Sequence, residues 1–82
     1  SLFPNPGRGE GSVLFSLPHR DDVRLAIYDI HGRRVIAQPS VNLASGQHVL
    51  TWNGRGLAAG VYHARLTTGS GESAHARWVK LR

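Results

Sequence analysis

The chain has no cysteine and no methionine among its 82 residues. Without cysteine, neither a disulfide nor a thiolate metal site holds it together, so an apolar core must. The missing thiols leave the compartment open, because a cysteine-free domain is tolerated inside and outside the cell. The missing methionine, first position included, is expected of a fragment or a processed piece of a longer protein. No run approaches the roughly 18 apolar residues of a membrane-crossing helix, and the start lacks the charged-then-apolar order of a signal peptide. Acidic residues are scarce too: five Asp+Glu stand against ten Lys+Arg, a formal net charge of +5, and Lys80 is the sole lysine. A basic domain raises nucleic acid as a partner. The arginines are scattered, however, with no run longer than Arg33-Arg34, whereas a binding tail shows as a block of like charge. The expectation is a solvated basic surface with no specific nucleic-acid partner. A chain of this length buries only about 60–65% of the surface its unfolded form exposes, which leaves little room for a deep substrate pocket.

What is present is period-2 alternation, and no 3.6-residue stripe of helical length accompanies it. Val13, Phe15 and Leu17 share one face before Pro18 stops the strand. Val23, Leu25 and Ile27 fall on one face of the next, with Ala26, Tyr28 and Ile30 on the other. Apolar groups on both faces predict a central strand covered on both sides. Asp29-Ile30-His31-Gly32 reads as a tight turn with Gly32 in the left-handed position. Strands follow at 34–37, 48–52 and 61–68, with a loop at Asn42, Ser45 and Gly46 between the first two. In the segment 51–66 a strand ends on Trp52, and glycines 54, 56 and 60 are expected to supply positive φ where the chain reverses. A turn at 69–71 pairs Tyr62 with Trp78, Ala64 with Ala76 and Leu66 with Ala74, large against large and small against small. His63, Arg65, His75 and Arg77 then face solvent. With residues 1–10 as a linker and first edge strand, this gives seven short strands in one antiparallel sandwich domain spanning 1–82.

No constellation supports bond chemistry. The five histidines (19, 31, 48, 63, 75) contain no His-x-x-x-His pair, and only His63 and His75 become diagonal neighbours, two ligands where zinc wants four. Asp21-Asp22 lacks the converging oxygens that calcium needs and suits a turn role. No serine lies in a Gly-x-Ser-x-Gly elbow. Gly7-Arg8-Gly9 and Gly54-Arg55-Gly56 do not sit between a strand and a helix, so a phosphate cradle lacks its context. The expectation is a non-catalytic chain with no metal and no cofactor. Trp52, Trp78, Tyr28 and Tyr62 raise a carbohydrate-binding module, which would need at least two of them exposed and coplanar. Core use fits a chain with only six aromatics better.

In this order, the motifs resemble the C-terminal Ig-like domains shared by type IX secretion sorting domains and flagellar hook-capping proteins. Leu2-Phe3-Pro4-Asn5-Pro6 resembles the family's opening, Phe15-Ser16-Leu17-Pro18 its first full strand, and 27–35 its Tyr-Asp-x-x-Gly-Arg-x-Val hairpin. Gly46-Gln47-His48, Trp52-Asn53-Gly54-Arg55 and Leu57-Ala58-Ala59-Gly60-Val61-Tyr62 match in turn, and Val79-Lys80-Leu81-Arg82 resembles the short basic strand that closes such domains. The resemblance implies an Ig-like sandwich at the C-terminus of a larger secreted bacterial protein. An outer-membrane translocon would recognise it after passage through the periplasm, and the cargo would be anchored at the cell surface or released. Gly60, Tyr62, Lys80 and Arg82 are the implied recognition residues, the last two as surface cations removable at little cost in stability. A terminal edge strand offers a partner unpaired backbone groups, and it also permits self-association. The alternative role is a structural module that packs against its parent protein's catalytic domain or assembles in a surface fibre or appendage, marked by an apolar patch beyond the last strand.

Overall fold

Alternation of apolar and polar side chains along every long segment produces strands only. The computed structural model of the chain describes residues 3–4 and 9–81, and in that range the seven expected strands are present. They are β1 (Phe3–Pro4), β2 (Glu10–Leu17), β3 (Asp21–Tyr28), β4 (Arg34–Ala37), β6 (Gly46–Asn53), β7 (Gly60–Thr68) and β8 (Ser73–Lys80). An eighth, β5 (Val41–Leu43), occupies what the sequence gives as loop. It exists because Asn42 anchors it: Asn42 Nδ2 donates to Asp22 Oδ1 at 2.9 Å, and Asn42 Oδ1 accepts from Arg20 Nη1 at 2.8 Å.

The strands form two antiparallel sheets. One runs β1-β2-β6; the other runs β4-β3-β7-β8, with β5 pairing the opposite half of the β3 edge from β4. Both inner faces are read directly from the alternation. Val13, Phe15 and Leu17 of β2 meet Val23, Leu25 and Ile27 of β3, with Trp52, Tyr62, Ala64, Leu66 and Trp78 completing one core. The last hairpin has the register that size complementarity predicts, Tyr62 opposite Trp78, Ala64 opposite Ala76 and Leu66 opposite Ala74. Its turn closes through Thr68 N–H to Glu72 O at 2.9 Å, and Gly71 takes φ +97°.

Two expectations need correction. Strand β3 is central within its sheet but covered on one side only, since Arg24 is exposed on its outer face, and Ile30, expected on that face, lies past the strand's end in the turn and is 69% exposed. Ala26 is buried not by a further layer but by its longer neighbours, Arg65 standing directly opposite. Small side chains on an open face are shielded this way, so an apolar residue there does not report a covering layer.

The glycines of the 51–66 segment also act differently. Gly60 has positive φ, but Gly54 and Gly56 do not. Gly54 is needed for space: a Cβ there would stand 2.5 Å from Cη2 of Trp78. Gly11, on β2, lies as closely against the Trp52 indole. Each tryptophan is thus seated on a glycine backbone, and that contact rather than chain reversal fixes these two positions.

Candidate functional site

Three of the four residues singled out from the resemblance, Gly60, Tyr62 and Lys80, converge on one corner of the five-stranded sheet. Gly60 opens β7 directly opposite Lys80 near the end of β8, and Tyr62 lies opposite Trp78 one pair further along that face. Among the described residues β8 hydrogen-bonds as a strand to β7 alone, and β1 of the other sheet packs beside it. Arg82 lies outside the described residues, as do positions 1–2 and 5–8 of the opening motif.

Tyr62 is a core residue. Its ring packs on Trp78 at 5.5 Å between centroids, and its hydroxyl donates to Ala58 O at 2.6 Å. That bond ties the 54–60 loop to β7. Two backbone bonds hold the rest of the loop, Gly54 N–H to Gly9 O at 2.9 Å and Leu57 N–H to Gly54 O at 3.0 Å. The loop that begins β7 is therefore positioned by one tyrosine and by the strand entering β2.

Lys80 departs from the sequence reading. It is only 8% exposed, the one buried charged residue among those described. Alternation places it on the same face as Trp78, so its stem lies along the end of the core. Its nitrogen is not among the buried unpartnered ones, which are Nε1 of Trp52 and of Trp78. The ammonium thus reaches water while its methylenes are covered. Removing Lys80 is a packing change as well as a charge change, and this corrects its description as a freely replaceable surface cation.

The other groups weighed from sequence have structural partners. Asp21 accepts from Ser70 Oγ at 2.6 Å and from Asp22 N–H at 2.8 Å, and the serine bond holds its carboxyl below the usual carboxylate range. The pair joins the β3 start to the 69–71 turn, the turn role expected of it. Asp29 organises the β3–β4 connection: its Oδ1 accepts from His31 N–H at 2.9 Å and Arg33 N–H at 3.0 Å, and its Oδ2 accepts from Arg33 Nε at 2.9 Å. Burial alone would raise its pKa, but these bonds outweigh that cost and the net direction is down. The sequence marked this turn by Gly32, which takes φ +79°; the network around the carboxylate was not foreseen.

The aromatics offer no sugar platform among the described side chains, for Phe15, Trp52, Tyr62 and Trp78 are all buried and Tyr28 stands half-buried by itself. Beyond the last strand Leu81 is 48% exposed as a single side chain. Isolated exposed leucines are ordinary and do not make the broad patch of an accessory packing module.

These features define an all-β sandwich whose last strand stands at the end of its sheet among the described residues. The chain belongs to the secretion system C-terminal sorting domain family, which it matches over residues 1–80. That match supports the sorting-domain half of the resemblance and does not extend to the hook-capping half. Comparison with curated proteins and with solved structures gives no match. Membership implies an interaction with the type IX secretion machinery and indicates a secreted protein associated with the cell surface or outer membrane. Domains of this family are sorting signals and in general not catalysts.

Proposed function

We propose that this sandwich is a non-catalytic sorting and anchoring signal, read by the outer-membrane translocon at the corner formed by Gly60, Tyr62 and Lys80, with Arg82 two positions further on in the sequence. The observation that supports this reading is the outer backbone edge of β8, which has no strand partner among the described residues and runs to Lys80 opposite Gly60. Unpaired N–H and C=O groups on such an edge accept an added strand, which gives affinity, while side chains along it give selectivity. Gly60 contributes a bare backbone on the neighbouring strand, where a Cβ would meet nothing within 4 Å, so a partner approaches closely there. Tyr62 acts from inside, holding the 54–60 loop through Ala58 so that this corner keeps one shape. Lys80 and Arg82 supply positive charge at the end of the strand.

The test is export of a reporter fused to this chain, compared with its Lys80→Met, Arg82→Ala variant. Methionine preserves the buried stem while the ammonium is lost. Reduced surface display at unchanged thermal stability supports recognition at the terminal cations. Display equal to that of the parent moves recognition away from them, and a concentration-dependent dimer of the parent would point to self-association through β8 instead.

A further inference from the structure

We infer that the outer face of the five-stranded sheet is a docking surface for an extended acidic segment of a partner protein. On this face His63 stands opposite Arg77 and Arg65 opposite His75, a two-by-two block of nitrogen side chains on β7 and β8. Tyr28 continues the first row and Ala26 the second, while Arg24 lies one row further along β3. All four members of the block and Arg24 are exposed.

These cations are not used by the fold. The sole ion pair among the described residues is Arg33 with Asp29, and no side chain of Arg24, Arg65 or Arg77 makes a hydrogen bond to another described residue. The bordering carboxylates are committed elsewhere, Asp29 to Arg33 and the backbone, Asp22 to Asn42. Like charges gathered on adjacent strands weaken a sheet. The pattern limits that cost by setting each arginine opposite a histidine, and it leaves a face on which Arg24, Arg65 and Arg77 outnumber Asp22, the carboxylate of β3 that shares it and whose partner Asn42 is neutral.

Charge complementarity makes the occupant anionic, and three features favour a protein. First, the face carries arginine and tyrosine but no lysine, the composition enriched at protein interfaces. Second, it offers one half-buried tyrosine rather than the row of exposed rings on which nucleic-acid bases stack. Third, a shallow depression of about 300 Å³ adjoins the block, lined by Tyr28, Ile30, Gly32 and Asp29 together with His63, His75 and Arg65, and the Asp29 carboxylate there is held by Arg33. The depression suits one apolar side chain of the partner. Alternate residues on a strand are about 6.6–6.8 Å apart, so a partner segment with a carboxylate at every second position matches the repeat of His63–Arg65 and of His75–Arg77. Guanidinium forks bind such carboxylates bidentately. This surface is separate from the β8 edge, so export of a reporter bearing changes on this face distinguishes the two readings.

The test is fluorescence anisotropy of a labelled peptide of alternating Glu and Thr with one central Phe, titrated with the 82-residue chain at low and physiological ionic strength. The Arg65→Glu, Arg77→Glu variant is expected to bind roughly ten-fold more weakly or worse. A charge-matched Gln47→Glu, Thr51→Glu, Arg55→Glu variant, changed at exposed positions away from this face, should bind like the parent. Equal loss in both variants, or no loss in the first, overturns the proposal. Binding of oligo-dT or of anionic phospholipid vesicles as tight as that of the peptide also overturns it, because the face would then be a general polyanion binder. If the first variant does not fold by circular dichroism, Arg65→Gln with Arg77→Gln removes the charge without reversal, and the same comparison decides.

Discussion

Trp52 on β6 and Trp78 on β8 meet edge to face, ring centroids 5.3 Å apart and planes at 86°, one indole from each sheet. This contact joins the two layers at the end of the sandwich where the last strand finishes. Burying an indole contributes about 4–6 kcal/mol at roughly 25 cal/mol/Å² over 150–250 Å², as an upper estimate. Each indole N–H is buried without a partner among the described residues, which costs about 1–3 kcal/mol where none is supplied. Burial therefore wins at both positions, and the cross-sheet contact holds the β7–β8 corner despite that cost.

The glycines under the indoles lead to a contrast. Gly11→Ala and Gly54→Ala place a methyl group inside the rings of Trp52 and Trp78, so each should destabilise by about 1–3 kcal/mol, the range for overpacked cores. Gly56→Ala, with ordinary φ and nothing within 4 Å, should be neutral or stabilise by up to about 1 kcal/mol. Urea unfolding followed by tryptophan fluorescence measures all three. A Gly54→Ala variant as stable as the parent would refute the packing assignment.

Much of this architecture was legible because period 2 leaves few choices. The inner faces of β2, β3 and β7, the register of the last hairpin and the turn at Gly32 all follow from side-chain size and alternation. Gly60 has the positive φ expected of it, but Gly54 does not, because a glycine needed for φ and one needed for space look alike in sequence and only the position of Trp78 separates them. Strand β5 was missed because three residues carry no readable period, and its anchor, Asn42 to Asp22, is a contact between distant positions. The convergence of Gly60 and Lys80 came from the family resemblance, and burial of Lys80 was invisible because a long cationic side chain hides its stem and shows its charge.

Lys80 has a measurable signature of that burial. Lys80→Ala removes covered methylenes worth about 0.8 kcal/mol each, so a loss of about 1–2 kcal/mol is expected. Lys80→Met, which keeps most of the stem, should stay within about 0.5 kcal/mol of the parent, as substitutions without a packing defect do. Chemical denaturation of the two variants side by side separates stem from charge, and equal stability of both would contradict the burial assigned here.

Acid should weaken the β3–β4 turn through Asp29. Its folded pKa is lowered, with Arg33 and His31 bonds outweighing burial. A lowered folded pKa contributes stability above the unfolded value near about 3.9 and loses it as pH falls through the lower folded value. The thermal midpoint should accordingly drop below about pH 4. Asp29→Asn, which still accepts from the two backbone N–H groups but does not titrate, should show a shallower drop across the same interval. Parallel curves for the parent and the variant would rule out Asp29 as a contributor.

The central claim is that this sandwich is sufficient as a sorting signal. The most direct measurement is surface display of a signal-peptide-bearing fluorescent reporter fused to residues 1–82, in a host with a working type IX translocon and in the same host lacking it. Reporter on the surface of the first strain and in the periplasm of the second is the expected result. Folded reporter held in the periplasm of both strains would contradict the account and leave the domain as a sandwich without a sorting role.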